Sequence, residues 1–176
     1  MSRMFASPEV YYLTDARYRA GVGVLAAELA ADPVDLVIGI GRGGTPVAEG
    51  LSAWLDRPNT AVSARHNDGN GTRQHATGRV TVDLENAAHG EHGRRLLLCD
   101  DIYGTGATAR AVTTALEATV FPADIRTVTL CRNLGATGHP DLWLWDTDDW
   151  VVFPWEAPPP ATARPLPPPP QPRRYP

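Results

Sequence analysis

Residues 96–109 read LLLCDDIYGTGATA, so two adjacent carboxylates, Asp100 and Asp101, close an apolar run just before a Gly- and Thr-rich turn. A helix that starts after such a turn presents unpaired backbone N–H groups and a partial positive charge, which suits a phosphate. Gly104 and Gly106 let the backbone approach an anion closely, and Thr105 and Thr108 add hydroxyl donors. The two carboxylates cannot hold that same phosphate. They suit neutral hydroxyls, such as those of a sugar, or a divalent cation. Phosphate on one side and vicinal hydroxyls on the other describe a sugar phosphate. A solvated acidic turn would account for Asp100 and Asp101 alone, but not for strand, acids, Gly/Thr turn and helix in that order.

The elements that position these residues follow from periodicity. Residues 14–31 place Tyr18, Val22, Leu25 and Leu29 at helical spacing. VDLVIGI, 34–40, is a short β-branched run that reads as a buried strand and ends in GRGGTP. Thr45 and Pro46 read as the N-cap and first turn of a helix continued by Val47, Leu51, Trp54 and Leu55. Strands are expected at 60–64, 80–84, 94–99 and 125–131, with short aromatic strands in LWLW and WVVF. Ala109, Val112, Leu116 and Val120 mark one face of a further helix. Residues 65–80, with three Gly, two Asn, three Arg and no apolar periodicity, read as a mobile loop. Alternating strands and helices imply an α/β fold with a mainly parallel sheet, whose ligands collect at the carboxyl ends of the strands. Gly41–Thr45, Asp100–Thr108 and Arg132 all fall at such ends.

The chain of 176 residues suits one domain, expected over 1–156, and 43% apolar with 20% charged residues reads as globular. No apolar run approaches the roughly 20 residues needed to span a bilayer, and the N-terminus lacks the apolar core of a secretory signal. Cys99 and Cys131 have neither metal-ligand nor redox spacing and read as buried free thiols of a cytoplasmic protein. A net charge of −4 gives no basic face for nucleic acid. All 16 basic residues are Arg, which fits coding bias as well as anion recognition; either way, a side-chain cation at an anion must be Arg or His. Residues 157–176 contain ten prolines and read as a polyproline II or disordered tail.

Four segments in order carry a family resemblance. LLLCDDIYGTGAT resembles the PRPP-binding signature of the type I phosphoribosyltransferases, and DLVIGIGRGGTPVAEGL resembles their first strand and pyrophosphate-binding R-G-G turn. Residues 65–80 stand where that family keeps its flexible catalytic loop, and 139–156 resemble the C-terminal hood of the xanthine-guanine and hypoxanthine branch. The resemblance implies the type I fold: a mainly parallel sheet flanked by helices, with a small hood from the C- and N-terminal segments.

It also implies roles. Asp100 and Asp101 would hold the ribose hydroxyls of PRPP, and the turn from Gly104 through Thr105, Gly106, Ala107 and Thr108 its 5′-phosphate. Arg42, Gly43 and Gly44 would face the pyrophosphate. One of the loop arginines Arg65, Arg73 and Arg79 would help them, with Arg73 taken as the catalytic candidate. Arg132 would read an exocyclic oxygen of a purine, Trp150 would stack on the base, and the backbone of Val151 would read its edge. Mg²⁺ is the implied cofactor, held mostly by PRPP and water, with Asp100, Asp101 and Glu156 as its protein partners. The implied reaction joins PRPP and a nucleobase into a nucleoside 5′-monophosphate with release of pyrophosphate, in a homodimer or homotetramer. The alternative is a catalytically weak, PRPP-binding regulator of the same fold.

One position departs from the branch. The 6-oxopurine enzymes carry a third acid facing N7 of the base, and here that place is Gly104. The departure points away from hypoxanthine and guanine and toward a non-standard base; Tyr103 could fill the space or simply pack. Trp143, Trp145 and Trp155 are expected to pack the hood. His66, His75, His89, His92 and His139 are expected to be ordinary solvated side chains.

Overall fold

The computed structural model describes residues 9–66, 80–84 and 93–175, with the side chains of Arg65 and His66 outside that description. The elements run β1 (Val10–Tyr12), α1 (Asp15–Leu29), β2 (Leu36–Ile40), α2 (Gly41–Leu55), β3 (Asn59–His66), β4 (Val80–Asp83), β5 (Arg95–Tyr103), α3 (Ala107–Val120), β6 (Asp124–Asn133), β7 (Leu142–Thr147), β8 (Trp150–Val152), β9 (Arg164–Pro165) and β10 (Arg173–Arg174).

Two sheets result. The larger has the order β10-β7-β6-β5-β2-β3-β4, and its five central members, β7 to β3, pair in parallel. Its outer strands β10 and β4 are antiparallel to their neighbours. The smaller has the order β8-β1-β9, all parallel, and joins the two ends of the chain into the expected hood.

The apolar runs of the central strands are continuous because both faces are covered. Leu97 and Cys99 of β5 pack with Val22, Leu25 and Leu29 of α1 and with Val47 and Leu51 of α2. The alternate residues Leu96 and Leu98 pack with Val112, Leu116 and Val120 of α3. The period-two alternation of a strand thus divides one sequence between two cores. Both cysteines are buried free thiols, and burial pushes both thiols well above their ordinary pKa. No helix among the described residues is long and apolar enough to cross a membrane.

Thr14 caps α1 as its sequence suggests, accepting from Arg17 N at 3.2 Å. Three expectations need correction. First, α2 begins at Gly41, so the R-G-G turn is itself the first helical turn and Thr45 is not the cap. Its hydroxyl instead donates to the Gly41 carbonyl at 2.5 Å. Pro46 then sits inside the helix, without an N–H to give to the carbonyl four residues back.

Second, of the four residues expected to continue α2, all lie in it, but Trp54 is turned outward at 68% exposure while Val47 and Leu51 are buried.

Third, the Pro-rich segment does not form a separate tail at 157–176. Leu166 enters the main core at 4% exposure, and its N–H donates to Tyr12 O at 2.9 Å. Arg17 donates to the Leu166 carbonyl, and the Trp145 indole donates to Pro167 O at 3.2 Å. β10 then covers the free edge of β7, where Arg174 reaches Glu28 and Asp32 and Tyr175 stacks on His139. Proline suits such edge positions because it need not donate to a ladder. The single Leu, the three Arg and the single Tyr among the prolines supply the anchors, Arg164 pairing with Glu9.

Candidate active site

β5 runs straight through both acids and ends at Tyr103, so Asp100 and Asp101 belong to the strand and the turn begins at Gly104. Gly106 adopts φ 76°, the left-handed conformation that lets the chain turn sharply into α3. No side chain caps the helix at Gly106, while Thr105 Oγ1 accepts from Ala107 N at 3.3 Å. A cavity of about 260 Å³ lies at this point, lined by Asp100, Asp101, Gly104, Thr105, Gly106 and Thr108 among others. The acids and the phosphate-type turn therefore share one concavity at the carboxyl end of the sheet.

Two close approaches tie the R-G-G turn to the acids. A Cβ at Gly43 would fall on the Asp101 carboxylate, and one at Gly44 would fall on the Cys99 carbonyl. Any larger residue would push α2 away from β5. Arg42, exposed at the start of α2, lines an adjoining groove with Thr45, Pro46 and Ala61–Ala64.

Both carboxyls are held above their ordinary pKa. Burial is the main cause for Asp100, with the Asp101 charge adding to it. Burial also leads for Asp101, reinforced by the Glu156 carboxylate, and pushes it up to about 6. The Ile102 N–H and the Trp155 indole oppose that rise. The Trp155 N–H is buried without an acceptor in hydrogen-bonding geometry, although the indole lies near enough to Asp101 to favour its charged form. Two carboxyls destabilised as anions are poised to gain from hydroxyl donors or a cation. Glu156 is exposed, and its Oε2 accepts from Phe153 N at 2.8 Å.

The hood residues lie on separate elements. Trp150 opens β8, paired in register with Val10. Val152 O accepts from Leu13 N at 2.9 Å, so the backbone of Val152 faces β1, and alternation turns that of Val151 to the opposite edge. Arg132 stands beside Tyr103 on β6, but its guanidinium is engaged: Nε donates to Asp146 Oδ1 at 2.9 Å. Trp143 and Trp145 are buried, and Trp155 stacks on Phe153 with centroids 5.4 Å apart, so all three pack as expected. Tyr103 is buried with its hydroxyl against Gly106 and 3.2 Å from where a Gly138 Cβ would stand, a packing role that closes the cavity wall.

Arg73, Arg79, His75, His89 and His92 lie outside the described residues, as do the side chains of Arg65 and His66. Among the described residues no group of three potential ligands forms a metal site. Sequence reasoning missed Thr127 and Thr129 as cavity-lining residues and Asp146 as the partner of Arg132. The two threonines had a signal: they stand at alternate positions of β6, on the same face as Ile125 and Cys131. Asp146 had none, since its partner is 14 residues away.

Comparison with known proteins bears on this geometry. The family model described as the phosphoribosyl transferase domain matches residues 14–162. A purine phosphoribosyltransferase of Pyrococcus horikoshii superposes with a TM-score of 0.74 at 26% identity, over 85% of this chain and 96% of that one. A Neisseria gonorrhoeae protein with bound ppGpp gives 0.66 at 22%, covering 85% and 89% of the two chains. The xanthine-guanine-hypoxanthine phosphoribosyltransferase of Helicobacter pylori gives 0.66 at 16%, covering 84% and 94%. The last two likenesses are of fold alone. No curated protein sequence matches the chain. The strand-end acids, the turn behind them and the family match over most of the chain lead to one statement: the chain belongs to the phosphoribosyl transferase family and is a transferase of that family.

Proposed function

We propose that the protein transfers the 5-phosphoribosyl group of PRPP to a ring nitrogen of a purine-like nucleobase, releasing pyrophosphate. The observation that carries this reading is the shared cavity of Asp100, Asp101 and the Gly104–Thr108 turn, against which Gly43 packs without a side chain. The purine class is supported by the Pyrococcus enzyme and by the C-terminal hood segment, whose Trp155 and Glu156 lie near Asp101.

In this reading the ribose hydroxyls donate to Asp100 and Asp101, and the 5′-phosphate lies on the N–H groups of the turn and the Thr105 and Thr108 hydroxyls. Binding stabilises the two carboxylates that burial disfavours, so part of their electrostatic cost is relieved when the substrate arrives. The bond from C1 to the pyrophosphate oxygen breaks as the bond from C1 to the base nitrogen forms, and positive charge develops on the ribose. Arg42 and the first turn of α2 stabilise the departing diphosphate. Arg132, Trp150 and the outward-facing backbone of Val151 receive the base.

The residues present fit a Mg²⁺ shared with the substrate rather than a protein-only site. Two carboxyls held above their ordinary pKa gain from a cation, and among the described residues they and Glu156 do not form a ready-made three-ligand site. Asp100, Asp101 and Glu156 would hold it through PRPP oxygens and water, and the ion would neutralise the leaving diphosphate.

Gly104 leaves no carboxylate facing the base at that position, which favours a base other than hypoxanthine or guanine. Incubation with Mg-PRPP and a panel of purines and substituted deazapurines, followed by pyrophosphate release, tests the proposal. Turnover of at least one base is expected. PRPP binding with no turnover of any of them would leave the regulator instead, and ordinary turnover of hypoxanthine or guanine alone would remove the argument from Gly104.

A further inference from the structure

Arg132 and Asp146 face each other in register on the parallel strands β6 and β7. Asp146 Oδ1 accepts from Arg132 Nε and from the Trp143 indole, both at 2.9 Å. Its other oxygen, Oδ2, accepts from Arg173 of β10. The Arg132 guanidinium also lies over the Trp143 ring, 4.8 Å from its centroid. The Asp146 side chain is only 12% exposed and Arg132 22%, while Arg173 approaches from the solvent side at 57%. Arg173 comes from the C-terminal segment and lies beyond the family match, which ends at residue 162.

We infer that the C-terminal segment belongs to the base-recognition apparatus, with Arg173 a positioning residue that occupies the second oxygen of Asp146 and so sets Arg132 for an acceptor atom of the base. The inference rests on the proposed role of Arg132 as the donor to that atom. An Arg beside a carboxylate favours a two-pronged pairing, with both oxygens taken by one guanidinium. Arg173 competes with it by holding Oδ2, so Arg132 bonds Asp146 through Nε and its terminal nitrogens are left for another acceptor. Charge acts in the same direction. One carboxylate shared by two guanidiniums leaves a net positive cluster, whereas Asp146 and Arg132 alone would neutralise each other. Trp143 fixes the plane of the Arg132 head by stacking and steadies Asp146 through its indole. Loss of Arg173 would free Oδ2, draw Arg132 onto Asp146 and weaken its pull on an oxo group.

The test uses the full chain with Mg-PRPP and the best oxo-substituted base of the panel, alongside the amino analogue of that base. Arg173→Ala is expected to raise the KM for the oxo base about tenfold, the order of one charge-assisted hydrogen bond, and to leave the KM for PRPP unchanged. The preference for the oxo over the amino base should fall by the same factor. Arg173→Lys, which keeps the charge and one donor, should restore most of it. Arg174→Ala is the control, because it cuts the neighbouring anchor at Glu28 and Asp32 without touching Asp146. A base preference unchanged in Arg173→Ala, or changed equally in Arg174→Ala, overturns the inference while the transfer reaction stands. Failure of the unaltered protein to turn over any base overturns both.

Discussion

The strand-end turn at Asp100–Thr108 and the C-terminal segment that closes over β7 are built on opposite principles. The turn is contiguous: nine consecutive residues supply acids, glycines, hydroxyls and a helix start, and the backbone alone brings them to one cavity. The C-terminal segment is assembled from afar, with Arg174 reaching Glu28, Leu166 bonding Tyr12 and Tyr175 stacking on His139. In the first, chemistry is concentrated and stability is given up, since two carboxyls sit where burial disfavours their charge. In the second, apolar burial and edge pairing add stability, and only Arg173 reaches toward chemistry. Substitutions in the two regions should therefore separate binding from folding.

The largest effect is expected at the acids. Asp100→Asn/Asp101→Asn removes two charged acceptors for the ribose hydroxyls, each worth about 1.5–3 kcal/mol. PRPP affinity measured by calorimetry should fall by about 10²–10⁴-fold while the protein stays folded. An affinity within threefold of the unaltered protein would mean the cavity holds something other than the ribose. Leu166→Ala should do the reverse. Leu166 is 4% exposed in the main core, and truncation should cost about 2–4 kcal/mol, lowering Tm by roughly 5–15 °C with PRPP affinity retained. An unchanged Tm would show that the C-terminal segment is dispensable to the fold.

The same contrast explains what the sequence made legible. Strands, helices and the parallel sheet followed from apolar periodicity, because β5 and α3 each carry their burial pattern within a dozen or so residues. Asp100, Asp101 and the turn were legible for the same reason. The composition of 157–176 was misleading because ten prolines disfavour regular structure, yet one Leu and three Arg decide where the chain lies. Asp146 could not be identified as the partner of Arg132 because cross-strand neighbours depend on register, which local sequence does not specify. The start of α2 was misplaced because Thr45–Pro46 is a strong local cap signal. Tertiary contact overrode it: Gly44 must lie on the Cys99 carbonyl and Gly43 on Asp101, which draws the first turn into the helix.

A smaller effect tests whether the acids cost stability. Asp101 is raised to about 6, whereas the unfolded carboxyl titrates near its ordinary 3.8. Between those values the folded chain binds more protons, so stability falls as pH rises through the window, and the full penalty is present above about pH 6. The displacement corresponds to about 3 kcal/mol, which the residual solvent contact of this partly buried side chain reduces to about 1–2 kcal/mol. Asp101→Asn should therefore raise the Tm of the ligand-free protein by about 2–8 °C at pH 7, with the gain closing by about pH 4. A Tm lowered by the substitution at pH 7 would place Asp101 among the stabilising groups instead.

The smallest effect lies at the far end of β5 and has the opposite sign. Asp35 accepts from Arg95 Nε at 2.8 Å, from Arg95 Nη2 at 2.7 Å and from the Arg95 backbone N–H at 2.9 Å. The Arg95 guanidinium and its backbone N–H hold the carboxyl well below its usual range, yet the pair is open to solvent and screened. A carboxyl lowered by folding stabilises the native state above its unfolded pKa, and that contribution is lost as pH falls through the folded value. Asp35→Asn should thus lower Tm slightly at pH 7, with the difference narrowing below about pH 4. Sodium chloride at about 1 M should also shrink it, since exposed charges are screened over about 3 Å there. Asp101→Asn and Asp35→Asn would then move Tm in opposite directions at pH 7 and converge on the unaltered protein in acid. Shifts of the same sign at pH 7 would deny that the two ends of β5 differ in what their carboxylates do: one end ready for a ligand, the other already paired.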